Sequence, residues 1–302
     1  MASLFKDAPC TDPPSSTPSD AGVAGAGILI SFIIAAAVAL VLSMSLIFSE
    51  SRGKTSTVRR KLLDGYSDSQ LLQGIGIQSV GLAKTNTLVP YHIFLIWMMS
   101  LLATATHNAT LLALVHDYRR DWVIRWLRQS LMFVNLALSC VLGVFVLQAV
   151  SRGLDDETLP IACVWNSETH GGSRSSTVGL SYVGTVIVII GNCVVFGLAT
   201  WYLHARQRRF HNAVQLVGII LMAAIAIGAA VRIVLLSQAF GHPSVKLTDQ
   251  GEKEWSFGQL LSVLLLILPL VSIVDIYRGE VKLADPVECD REPIDDGDEV
   301  KA

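Results

Sequence analysis

The sequence predicts an all-α membrane protein of seven transmembrane helices, with the N-terminus outside or lumenal and the C-terminus cytosolic. Three observations carry this prediction. Only 16% of the 302 residues are charged, where a soluble domain has roughly 25%. Apolar runs long enough to cross a hydrocarbon core of ~30 Å recur along the chain. Lysine and arginine are concentrated in alternate connectors, as the positive-inside rule requires of a multi-pass protein.

Residues 1–20 hold one lysine among Pro, Ser and acidic residues. They lack the basic start and prompt apolar core of a cleaved signal peptide. They read as a disordered arm, and the first apolar run, Ala21 to Phe48, reads as a signal anchor. That run opens on Gly22, Gly25 and Gly27, which permit close helix approach. The second span, Ser67 to Lys84, is about 27 Å of helix and just long enough to cross. Pro90–Val115 is the third, and the fourth runs from Trp122 or Leu127 to Val150. Thr177–Leu203, Ala213–Phe240 and Trp255–Tyr277 complete the set, with Pro269 expected to kink the last. The membrane domain is thus 21–278. Residues 279–302, with nine acidic and three basic side chains, read as a disordered cytosolic tail.

The second span is the weakest, and the charge count supports it. If all seven cross, connectors 49–66, 117–128, 204–212 and the tail lie on one side and hold 16 of the 23 basic residues. The opposite connectors, 1–21, 84–89, 151–176 and 240–254, hold 6, and Arg232 is the last. Without the second crossing this alternation fails. The same topology puts Cys10 and Cys163 in one non-cytosolic compartment, where a disulfide is permitted. Cys140 and Cys193 fall at bilayer depth as packing residues. The sequon at Asn108 lies inside a span, out of reach of glycosylation. The five cysteines form no CxxC or Cys/His cluster, and no metal site or cofactor motif is visible. A net charge of −2 gives no reason to expect nucleic acid.

Polar groups inside a bilayer are costly, so each is a functional candidate. Ser67-Asp68-Ser69-Gln70 fits a capping box, with Ser67 as N-cap. Behind it, Gln70, Gly74, Gln78 and Gly81 share one helix face at 100° per residue. That face suits either tight helix contact or a cavity wall. His107 falls at the depth of Asp68, which allows an Asp68–His107 proton donor or acceptor pair. His92 lies near the outer end of the third span. Arg232 is the one full charge well inside a span. It either snorkels outward, pairs with Glu254 or Asp156, or grips an anionic ligand. Trp255 and Gln259 share a face of the seventh helix, and Trp255 also suits the interfacial belt.

Several phrases together resemble a family of fungal seven-helix integral membrane proteins. They are Asp20–Phe32 (DAGVAGAGILISF), Tyr66–Ile75 (YSDSQLLQGI), Thr106-His107-Asn108, Pro160–Trp165 (PIACVW) and Trp255–Leu260 (WSFGQL). The resemblance covers almost all of 20–278. By size and topology the chain is also similar to fungal membrane-bound terpene cyclases of secondary metabolism. That similarity implies protonation of an epoxide or alkene of a prenylated, lipophilic substrate in the endoplasmic reticulum, without metal. Asp68 and His107 would then be the acid, and Gln70, Gln78, His92, Arg232, Trp255 and Gln259 would bind substrate. The alternatives are a receptor-like seven-helix sensor of the plasma membrane and a transporter of a small lipophilic metabolite. The partners expected in every case are the bilayer and a lipophilic small molecule.

Overall fold

The structure, a computed structural model, describes residues 10, 13–52, 56–115, 118, 122–154, 157–165, 178–204 and 211–277. The acidic tail, Asp156 and the basic connector 205–210 lie outside the described residues. A one-turn helix, Ala21–Ala24, leads into α1 (Ala26–Ser51). Then come α2 (Thr57–Ala83), α3 (Pro90–Ala113), α4 (Trp122–Arg152), α5 (Val178–His204) and α6 (His211–Leu236). The seventh helix is in two halves, α7a (Phe257–Leu265) and α7b (Leu268–Tyr277). Among the described residues there is no strand, only an isolated bridge between Thr17 and Leu247. The chain is an all-α membrane protein, and six of its seven helices are long and apolar enough to cross a bilayer.

α3 is the hub. It packs against α1, α2, α4, α5 and α6, and every residue of it except Phe94 is buried. It tolerates six hydroxyl and amide side chains in that position because most return their donors to nearby groups. Ser100, Thr104, Thr106 and Thr110 all donate to carbonyls three or four residues back on their own helix. α5 and α6, by contrast, turn most of their surface outward, as lipid-facing helices do.

α2 is the helix not apolar enough to qualify alone, and packing shows that it runs the length of the bundle. At its C-terminal end Lys84 pairs with Asp20 at 2.7 Å. At its N-terminal end Asp64 pairs with Arg128 of α4. The four connectors expected outside meet at one end. Cys10 and Cys163 form a disulfide. Thr158 donates to the carbonyl of Pro14 at 2.5 Å, and Ile161 N–H donates to Leu88. Thr17 N–H donates to Lys246, and Thr248 N–H to Thr17. Four helices separate Cys10 from Cys163, so both fall on one side only if α2 crosses with the rest. The disulfide marks that side as oxidising, in agreement with the charge bias, and it is called the outer end below.

Three expectations need correction. α2 starts at Thr57, ten residues before Ser67. Hydropathy locates the stretch that fits hydrocarbon, whereas Thr57–Tyr66 is an amphipathic extension. At 27 residues the helix is about 40 Å long, so its first turns project beyond the core on the inner side. Ser67 and Asp68 are consequently mid-helix and cap nothing. Second, residues 13–20 of the arm are an ordered strap held by the backbone bonds above. Third, Arg232 sits one turn from the end of α6 at Leu236, shallower than a span ending at Phe240 would place it.

The expected kink in the seventh helix is present. Pro269 has no N–H to give the carbonyl of Leu265, and the helix breaks over Leu266 and Ile267. Ser69 of α2 donates to the freed Leu265 carbonyl at 3.4 Å. Gly65, one turn earlier on α2, leaves room for the proline ring: a Cβ there would come within 3.0 Å of Pro269 Cβ. The kink and the polar face of α2 thus fit one another.

Candidate functional site

The glutamine–glycine face of α2 is a helix interface. Gln70 Nε2 donates to the Phe32 carbonyl of α1 at 3.0 Å. Gln78 Nε2 donates to Asn135 Oδ1 of α4 at 2.8 Å and to the Gly74 carbonyl at 2.9 Å. Asn135 in turn donates to Thr104 of α3 at 3.3 Å. Ser100 and Ser139 bond across α3 and α4 at 2.8 Å. Gly74 admits this ladder, since a Cβ there would meet Asn135 Oδ1 at 2.8 Å. Gln70 and Gln78 are fully buried and give their Nε2 groups to protein acceptors, while the Oε1 of each makes no hydrogen bond; neither lines the cavities described below.

Asp68 and His107 are not a pair. The Asp68 carboxylate is held by Arg128 of α4, which also grips Asp64. Tyr118 closes the group: its hydroxyl donates to Asp64 at 2.9 Å, and the Arg128 guanidinium lies over its ring at 5.4 Å. Burial, with Asp64 alongside, pushes the Tyr118 phenol well above its ordinary pKa, so it stays a donor. The residue that reaches His107 is Ser67, at 3.2 Å from Nδ1. On a helix, neighbouring residues point about 100° apart, so Ser67 and Asp68 serve different partners. Asn108, also buried, donates to the sulfur of Met222 at 3.3 Å.

The outer end carries a group the sequence did not disclose. Glu252, in the last outer loop, is fully buried. It accepts from Tyr91 at 2.9 Å and bonds His92 Nε2 at 3.0 Å. Tyr91 accepts from the Gln238 N–H at 2.9 Å. His92 is therefore a clasp for the loop and is not free to bind substrate. Glu252 stands 160 residues from His92 in a stretch that reads as an ordinary polar loop. No local pattern could have paired them.

Gln259 is also structural. Its Oε1 accepts from Gly27 N–H at 3.0 Å, and its Nε2 donates to the Glu254 carbonyl at 2.8 Å. A helix leaves its first N–H groups without partners, and Gln259 supplies one. Gly25 and Gly27 create the space: a Cβ at either would run into Gln259. Trp255 is mostly exposed and suits the interfacial belt.

Of the residues expected at a site, Arg232 is the one that lines any of the three cavities described below. It lines two adjoining crevices. The upper one, about 150 Å³, lies under the outer loops and is bounded by Tyr91, Phe94, Ile161 and Ser244. The lower one, about 490 Å³, opens between α5 and α6 and is floored by Trp97, Met98 and Leu101 of α3. Ser181 lines both. The guanidinium of Arg232 stands 5.9 Å from the Phe94 ring centroid. Among the described residues it has no carboxylate partner, and Glu254 does not reach it. Gly184 and Gly228 edge the lower crevice, and a Cβ on either would meet nothing within 4 Å. Further in, a third cavity of about 410 Å³ continues along the α5–α6 seam, lined by Leu112, Val194, Leu198 and Val217. Its walls are almost wholly apolar. Asp68 and His107 line none of the three.

No protein-family model, curated protein or solved structure matches the chain. Functional argument therefore rests on the geometry. Among the described residues no group of His, Cys, Asp or Glu is placed to hold a metal ion.

Proposed function

We propose that this protein binds a lipophilic small molecule, taken laterally from the bilayer into the α5–α6 crevice, and acts as a receptor-like sensor. The observation that carries this reading is the crevice itself. It is mostly apolar, open toward lipid, of a size usual for small-ligand sites, and floored by the hub helix. A ligand wedged there would press on α3, which touches most of the bundle. At the inner end, α2 and α4 are tied by Asp64, Asp68, Arg128 and Tyr118. A sensor of this kind belongs in the plasma membrane.

The cyclase reading would need an acid facing a cavity. Asp68 is held by Arg128, His107 bonds Ser67 through Nδ1 alone, and neither lines any of the three cavities, so that chemistry would require a donor elsewhere.

The test is to purify the full chain in nanodiscs, extract it with organic solvent and identify retained lipophiles by mass spectrometry. Gly184→Trp and Gly228→Trp add bulk at the crevice edge, where a Cβ meets nothing within 4 Å. A compound enriched by wild type over bulk lipid and lost from both variants is the expected result. Identical extracts from wild type and variants would sink the proposal.

A further inference from the structure

The crevice has one charged group, and its sign narrows the ligand. We infer that the site selects single-chain amphiphiles with an anionic head, Arg232 holding the head and the lower crevice the chain. This rests on the crevice reading above and deepens it.

A guanidinium one turn from the end of a membrane helix ordinarily pairs with an acid or reaches the headgroup layer. Arg232 has a phenyl ring beneath it and no acid among the described residues. Above it the route outward passes the upper crevice, bounded by Pro90, Ile161 and Ser244. An anionic head placed beside the exposed guanidinium of Arg232 can accept two parallel hydrogen bonds from it, the strongest form of such a pair. Trp97 adds apolar surface: it is 3% exposed and floors the lower crevice, with its indole nitrogen beside Gly143 of α4 and out of a ligand's reach.

The chain needs an apolar trough. From Arg232 to Ala213, α6 runs ~28 Å, close to the ~30 Å hydrocarbon core. The seam below the arginine is lined mainly by apolar residues, with Ser181 and Thr185 near its outer end, and narrows where Leu221 approaches Gly191. The lower crevice, about 490 Å³, suits one acyl or isoprenoid chain. Carboxylate and phosphate heads share the chemistry Arg232 recognises, and the experiment separates them.

The measurement is equilibrium binding of radiolabelled oleate to the full-length protein in nanodiscs. Oleoyl lysophosphatidate, oleyl alcohol and inorganic phosphate are the competitors. Oleate or lysophosphatidate should bind at least tenfold more tightly than the alcohol, and inorganic phosphate should not compete. The tighter of the two acids identifies the head. Arg232→Gln should weaken acid binding tenfold or more and leave the alcohol unchanged, with Arg232→Lys in between. Retention of the Cys10–Cys163 disulfide and of the wild-type melting temperature confirms that each variant is folded. Equal binding of acid and alcohol, or unchanged acid binding in Arg232→Gln, overturns the anionic selection. In that case alcohol binding that Gly228→Trp abolishes would leave the crevice reading standing. No binding of any probe to wild type overturns both.

Discussion

Gly74 has room for a hydrogen and nothing larger. A methyl there would push on Asn135 Oδ1 at 2.8 Å and on Ala103 Cβ at 3.1 Å. Gly74→Ala should therefore destabilise the bundle by about 1–3 kcal/mol. Gly76, two residues on, faces open space. Gly76→Ala should be neutral or stabilising by up to about 1 kcal/mol, and thermal melts of the purified protein in detergent would compare the two. Glu252→Ala should cost at least about 2 kcal/mol, because it strands Tyr91 and His92 without their shared acceptor. Glu252→Gln keeps an acceptor for Tyr91 and should cost less by the same assay. Sequence spacing identified the polar face of α2 correctly, since periodicity shows which residues share a side. It could not say what they meet. Phe32, Asn135 and Arg128 come from other helices, and only tertiary structure distinguishes a glutamine bonded to protein from one waiting for substrate.

Elements were legible to the degree that hydrocarbon defines them. Pro90 opens α3, Pro269 breaks the seventh helix, and the glycines at the start of α1 sit against Gln259 and Trp255, all as composition suggests. Errors arose where a helix leaves the bilayer, as α2 does over Thr57–Tyr66, because apolar runs say nothing about amphipathic turns in water. The strap over residues 13–20 was missed for a related reason. Its order comes from backbone bonds to distant loops, and its own composition is that of a coil. Asp249 is one of its anchors, accepting from the Ser19 and Gly251 N–H groups at 3.3 Å. Hydrogen bonds from the Ser19 side chain and the backbone hold its carboxyl below the ordinary carboxylate range. A depressed folded value means the anchor is fully present above the unfolded pKa of about 4 and is lost as pH falls through the folded value. Amide exchange of residues 13–20 should accelerate below about pH 4, and Asp249→Asn should show faster exchange already at neutral pH. Equal protection in wild type and variant would remove Asp249 from the strap.

For the whole molecule, the charge alternation carried the topology even though α2 fails as a hydropathic span. Counting basic residues integrates over every connector, so one weak helix does not defeat it. The packing of four outer connectors into one cap agrees with that count. After reduction, a membrane-impermeant maleimide applied to sealed vesicles or cells should label Cys10 and Cys163 from the same, outer face, and neither from the cytosolic face. Labelling of the two from opposite faces would mean that α2 does not cross. What could not be read at this scale was the gap between α5 and α6. A cavity is an absence of side chains in space, and glycines at 184 and 228 hint at it only once the two helices are side by side.

The bond between Cys10 and Cys163 also records how the chain was made. Cys10 leaves the ribosome first and must wait while four spans are threaded. Its partner arrives on the same face only if the marginal second span has been accepted into the membrane. A molecule in which α2 slips back delivers Cys163 to the reducing side and leaves Cys10 as a naked thiol. Correct threading is thereby sealed covalently, while faulty threading leaves a free thiol that any thiol-based surveillance could detect.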